Sequence, residues 1–166
     1  MVTPEKLRRY PFFACLTLDQ IGILAKAGEE LSVEAGHSFF REGDELKCLF
    51  FVLDGNVDIT LEIPDKSVEQ DISQQILGNL IYRDVTVSSA GPGQIFAWSA
   101  LLPPHVSTAS ATTRGQSQVI AFDCEELKLA FQEDCLFANV MLNKIAVVIR
   151  QRLRDMRIQS LAFIPA

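Results

Sequence analysis

Hydrophobic positions along this 166-residue chain change their period twice. Leu18, Ile21, Leu24 and Ala25 recur at three- and four-residue steps, the spacing of one helix face. Thr17 stands where an N-cap belongs and Gln20 completes a capping-box pattern, while Gly28 offers a stop. Ahead of that helix, residues 7 to 13 read as a short turn anchored by Phe12 and Phe13. From residue 31 the period drops to two. Leu31, Val33 and Ala35 alternate with polar residues up to Gly36, and Phe39-Phe40 follow. Residues 49 to 53 form an apolar run, and Val57, Ile59, Leu61 and Ile63 alternate with polar neighbours. Asp54-Gly55-Asn56 between them is a turn signal. Residues 64 to 75 are polar and predict an exposed loop; residues 80 to 87 resume a strand. Gly91-Pro92-Gly93 turns the chain into Gln94-Ile95-Phe96. A small-residue stretch at 97 to 104 ends at Pro103-Pro104, and residues 108 to 113 and 118 to 122 read as the last strands.

The helical period then returns. Asp123 is placed to cap a short helix from Cys124, with Glu125 and Glu126 in its first turn. Residues 136 to 160 hold no Gly or Pro and predict a helix of about 37 Å. Along it Leu142, Ala146, Ile149, Leu153 and Met156 step alternately by four and three, continued by Ser160 and Phe163. That stripe either packs on the body of the same chain or pairs two chains as a coiled-coil-like seam. A homodimer through the C-terminal helix is the expectation carried forward, with another protein as the alternative partner. The whole pattern predicts one domain over residues 1–166: a mainly β fold with flanking helices, its β-barrel at about 31–122 and its C-terminal helices at 124–160.

Composition narrows the function classes. At 48% hydrophobic and 22% charged residues the chain is of ordinary globular make-up, long enough to bury a core. A net charge of −6 disfavours nucleic-acid binding over the general surface. Cys15, Cys48, Cys124 and Cys135 form no C-x-x-C pair, and the polar N-terminus lacks a signal-peptide core. Reduced thiols and a cytoplasmic location are therefore expected. No apolar run reaches the ~18–20 residues of a membrane span. Only His37 and His105 are present, far apart, and there is no P-loop, G-x-S-x-G or H-E-x-x-H pattern. No catalytic residues and no metal site are expected, and the chain does not read as an enzyme. Arg150, Arg152, Arg154 and Arg157 make the end of the long helix basic, where cations favour the helix dipole.

Four stretches in this order resemble the cyclic nucleotide-binding domain family, in its catabolite activator protein/Fnr-like sensor form. They are Phe13-Ala14-Cys15-Leu16-Thr17, Phe40-Arg41-Glu42-Gly43-Asp44 with Phe51-Val52-Leu53-Asp54-Gly55-Asn56-Val57, Gly91-Pro92-Gly93-Gln94-Ile95-Phe96, and the long terminal helix. The resemblance implies a double-stranded β-helix (jelly-roll) barrel with N-terminal helices and a long C-terminal helix. Gly43, Gly55 and Gly93 fall at turns that ask for positive φ. In ligand-binding members the phosphate-binding cassette reads "F-G-E-(L/I)-A-L", then "R-(T/S/A)-A-(T/S/D)"; the Glu takes the ribose 2′-hydroxyl and the Arg the cyclic phosphate. Here Ala97 stands for the Gly, Trp98 for the Glu and Ser107 for the Arg, which resembles an "F-G-W-S-A-L" variant among bacterial members.

By this resemblance the ligand pocket is Phe96, Ala97, Trp98, Ser99, Ala100, Ser107, Thr108 and Ala109. The implied function is a non-catalytic ligand-sensing or regulatory module that does not bind cAMP or cGMP tightly. The alternative is a ligand-free interaction scaffold with the pocket plugged by Trp98. No definite cofactor is implied; a small anionic ligand or a nucleotide is the ligand class the pocket suggests. Family transcription regulators continue past the long helix into a helix-turn-helix domain, whereas this chain stops at Ala166, so direct DNA binding is not expected.

Overall fold

The computed structural model describes residues 2–64 and 82–161. Pro4 opens α1 (Pro4–Arg8) and Pro11 a short 3-10 turn (Pro11–Phe13), positions where the missing N–H has no helical partner to lose. Phe13 is buried, its ring centroid 4.9 Å from that of Phe51 and 5.9 Å from that of Phe122. The predicted capping box starts α2 (Leu18–Ala27): the Gln20 amide N–H donates to Thr17 Oγ1 at 3.2 Å, and the Thr17 N–H donates to Gln20 Oε1 at 3.1 Å. Gly28 does end this helix, but in extended conformation (φ −98°), as the first residue of β1 (Gly28–Val33). The first strand thus begins before residue 31. A Cβ at Gly28 would meet Ile120 Cγ2 and Phe122 Cε1 at 3.1 Å, tighter than ordinary van der Waals contact, so glycine serves close approach there rather than freedom of φ.

The remaining strands are β2 (Ser38–Phe40), β3 (Cys48–Asp54), β4 (Val57–Pro64), β5 (Tyr82–Ala90), β6 (Ile95–Phe96), β7 (Ser110–Thr113) and β8 (Ser117–Asp123). They form two four-stranded antiparallel sheets, β1-β8-β3-β6 and β2-β7-β4-β5. The chain passes back and forth between the sheets, which is the jelly-roll arrangement, mainly β with flanking helices. The expected barrel takes the form of two facing sheets that are not closed into a ring of strands. Gly55 makes the crossing from β3 to β4 at φ +86°, where a Cβ would sit 2.2 Å from Ser117 Oγ. Gly43 and Gly93 also have positive φ, at +89° and +81°.

Several boundaries differ from the sequence reading. Most of the loop predicted at 64–75, and the start of the strand predicted at 80–87, lie outside the described residues. β5 continues to Ala90 because β4 offers it partners that far, with Val57 opposite Ala90. β7 starts at Ser110 rather than residue 108, since the hydroxyl of Ser107 binds the backbone of Ala109 and holds that segment in a loop.

At the C-terminal end the Asp123 carboxylate accepts the N–H groups of Glu125 (2.7 Å) and Glu126 (3.1 Å) and caps α3 (Cys124–Glu133). Asp134 forms the corner into α4 (Cys135–Leu161): Oδ1 accepts the Phe137 N–H at 2.9 Å and Oδ2 accepts Gln20 Nε2 at 2.8 Å. Hydrogen bonds hold this carboxyl below the ordinary carboxylate range, that from Gln20 first and that from the Phe137 N–H next. Phe137, Met141 and Ile145 are buried against the body, with Val148 and Ile149 partly buried. Of the predicted seam, Leu142, Ala146, Leu153 and Met156 are exposed and Ile149 is half-buried. The helix therefore packs on its own chain with a stripe one residue earlier, about 100° round from the seam. The four cysteines are free thiols; burial pushes that of Cys124 up to about 12.

Candidate functional site

The site is assembled at one end of the sandwich from segments on both sheets. β6 pairs with β3 so that Phe96 lies opposite Phe50, their rings stacked with centroids 4.9 Å apart. Phe39 packs on both, at 4.9 and 5.1 Å. After Phe96 the chain turns sharply. Ala97 takes the left-handed conformation (φ 63°, ψ 32°), and a 3-10 turn (Trp98–Leu101) follows, closed by the Ala100 N–H to the Ala97 carbonyl at 3.0 Å. A glycine would adopt that φ without strain; alanine does so at a cost of about 1–2 kcal/mol.

The second half of the cassette is stitched to the Arg41–Asp44 turn. The Gly43 N–H donates to the Ser107 carbonyl at 3.0 Å, and the Ser107 N–H returns a bond to the Asp44 carbonyl at 2.8 Å. One step along, the Leu46 N–H donates to the His105 carbonyl at 2.8 Å, and Glu45 forms an isolated bridge with Val106. Asp44 fixes its own turn by accepting the Arg41 N–H at 2.8 Å. The glycine turn and the cassette, read separately in the sequence, are thus one unit.

Between these segments lies a cavity of about 60 Å³, lined by Phe40, Leu46, Ile59, Phe96, Ala97, Trp98, Ser99, Ser107, Thr108 and Ala109. Seven of the eight pocket residues expected from the sequence meet there. Ala100 does not; it is fully buried on the other side of the 3-10 turn. Phe40, Leu46 and Ile59 carry no pocket signal in the sequence, although the alternation around Ile59 places it on a buried strand face. Trp98 is half-buried and packs against the core. Ser107 is buried, and its hydroxyl donates to the Ala109 carbonyl and accepts the Ala109 N–H at 3.3 Å.

Among the described residues no charged side chain lines this cavity. Arg114, the next arginine along the chain from Ser107, is held beyond the far end of β7, where Nε and Nη2 contact the Asp58 carboxylate at 3.0 and 2.7 Å. That carboxylate holds the guanidinium pKa above its ordinary value. His105 does not line the cavity either; its ring faces Lys128 Nζ of α3 at 3.4 Å. His37, at the opposite turn, is exposed and packs edge-on to Phe39. Among the described residues no cluster of three or more His, Cys, Asp or Glu has a metal-binding arrangement, and no helix is long and apolar enough to cross a membrane.

Comparison with known proteins fits this geometry. The family model described as the cyclic nucleotide-binding domain matches residues 30–134. Among solved structures, a Geobacter metallireducens GS-15 protein with the provisional name of cyclic nucleotide-binding protein is 27% identical, covering 92% of this chain and 99% of its own, at a TM-score of 0.73. The N-terminal domain of a Streptomyces coelicolor A3(2) transcriptional regulator is 24% identical, with coverage of 91% and 94% and a TM-score of 0.65. The catabolite activator protein of Thermus thermophilus shares the fold at 19% identity and a TM-score of 0.63; 92% of this chain aligns with 63% of that one. No curated protein sequence matches.

Proposed function

Because the chain belongs to the cyclic nucleotide-binding domain family, we propose that it is a non-catalytic ligand-sensing and regulatory module whose altered cassette does not hold cAMP or cGMP tightly. One observation carries this reading: the cassette cavity measures about 60 Å³ and has no cation on its wall among the described residues. Pockets for small organic ligands run to roughly 300–1,000 Å³, so this one holds a few waters rather than a nucleotide. A cyclic phosphate would also bring a full negative charge into the apolar interior. Leaving such a charge without its partner costs about 3–5 kcal/mol, and the Ser107 hydroxyl, tied to Ala109, supplies no compensating charge. The regulatory output in this reading is the position of α4, transmitted through a homodimer formed along Leu142, Ala146, Ile149, Leu153 and Met156, four of which face solvent.

The half-buried Trp98 at the cavity favours a second reading, an interaction scaffold whose pocket is permanently filled. Thermal unfolding with cAMP, cGMP and a cyclic dinucleotide tests both. Saturation at about 100 times the dissociation constant would raise the midpoint by roughly 5 to 10 °C. The expected result is no shift with cAMP or cGMP. A shift of that size with either would overturn the cassette reading; one with the cyclic dinucleotide alone would eliminate the plugged scaffold.

A further inference from the structure

A larger opening lies away from the cassette, on the flank of α4. Between that helix and the β5–β6 turn is a cavity of about 350 Å³, with Phe12, Ile95, Val147 and Val148 as its apolar wall. It runs into a shallower depression of about 500 Å³ that shares Phe12, Val147 and Val148 and adds Lys144. Together they make a groove along α4 with a cation near each end. Lys144 and Arg152 are eight residues apart, about 12 Å along the helix.

Arg152 is the distinctive group. It is half-buried, and Nη1 donates to the Ser89 carbonyl at 2.7 Å, which fixes the guanidinium against β5. The ion pairs among the described residues are Lys6–Glu30 and Arg114–Asp58, and Arg152 is in neither. Asp155 also lines the cavity, but its Oδ1 accepts the Gln151 amide at 2.9 Å. Desolvation lowers the Arg152 pKa, with Asp155 opposing it from a distance. A cation has thus been drawn partly out of water with one carbonyl as its hydrogen-bonded acceptor. Lys144 Nζ sits 5.8 Å from the centroid of the Phe12 ring, at the other end of the same wall. Among the described residues Arg152, Lys144 and Asp155 are the charged groups facing the groove.

We propose that this groove is a binding site for a small carboxylate with an apolar body, an aryl or medium-chain acyl acid, whose carboxylate pairs with Arg152. The planar guanidinium presents a fork of N–H donors that matches a carboxylate in two parallel bonds. The apolar body covers Phe12, Ile95, Val147 and Val148; Val147 is 55% exposed without it. The volume falls in the range of small-molecule pockets, which the cassette cavity does not reach. One wall of the groove is α4 and the other is the jelly roll, so a bound acid favours whichever helix position keeps both walls in contact. Leu142, Leu153 and Met156 do not line the groove. This site stands whether or not the cassette binds a nucleotide.

Titration of the full chain with sodium octanoate, read by ¹⁵N–¹H NMR, is the test, with 1-octanol as the uncharged counterpart. Octanoate is expected to saturate a site whose shifts centre on Gly93, Val147 and the Arg152 side chain, and octanol to bind about tenfold or more weakly. Arg152→Gln should weaken octanoate by a similar factor and leave octanol unchanged. Val147→Glu, at an exposed helix position, should place a carboxylate in the groove and abolish octanoate binding. Equal affinity for octanoate and octanol, binding that survives Val147→Glu, or shifts centred on Trp98 and Ser107 would each overturn the proposal.

Discussion

Ala97 sits in a backbone conformation that glycine adopts freely, at the position where the family cassette has glycine. The resemblance pointed to the residue, but its φ of 63° comes from the turn that joins β6 to Trp98. An Ala at positive φ costs more than the entropy its methyl saves in the unfolded chain. Ala97→Gly is therefore expected to stabilise the protein by about 0.5–1 kcal/mol, seen as a higher urea midpoint with an unchanged slope. An unchanged or lower midpoint would mean that the turn is not strained. Ser107 illustrates what residue identity leaves open. The sequence shows that a hydroxyl replaces a guanidinium; only the folded chain shows that hydroxyl bonded to the backbone of Ala109.

Elements are legible in the sequence where their signals are local. The Thr17–Gln20 box and the Asp123 cap bond within three residues of sequence, so residue type and spacing sufficed to place them. The corner between α3 and α4 is different, because Gln20 reaches Asp134 across 114 positions of sequence. Its bond is the first cause of the depressed Asp134 pKa. A carboxyl whose folded pKa is depressed adds stability above its unfolded pKa and loses it as pH falls through the folded value. Gln20→Leu is accordingly expected to raise the Asp134 pKa toward the ordinary range, measured by NMR titration of its side-chain carboxyl carbon. It should also make stability less sensitive to acid. An unmoved titration would remove Gln20 from the corner.

At the scale of the whole molecule, the question is which surface carries a partner. α4 spends Phe137, Met141 and Ile145 on its own body and leaves Leu142, Leu153 and Met156 facing solvent, 40–46% exposed. If these pair two chains, Leu153→Glu with Met156→Glu should convert a dimer into a monomer in sedimentation velocity. Its effect on the intrinsic stability of each chain should stay small, as for other surface changes. Arg150 and Arg157 flank that stripe, so added salt should strengthen the dimer by screening their repulsion. A chain that is monomeric throughout would leave the stripe without this role.

The sequence by itself determined the succession of elements and the turns at Gly43, Gly55 and Gly93. Those depend on periodicity, caps and φ preferences, all of which act over a few neighbouring residues. Tertiary structure alone decided how much room remains. The size of the cassette cavity depends on Phe40, Leu46 and Ile59 arriving from three separate segments, and a volume is a sum over side chains with no local signature. The same holds for Gly28, which clears space for two side chains on β8, and for the face that α4 turns inward. An apolar stripe can be covered by its own chain or by another, and only packing distinguishes the two. The groove beside Arg152 was likewise invisible in the sequence, because Phe12, Ser89 and Arg152 come together only when α4 lies against the jelly roll.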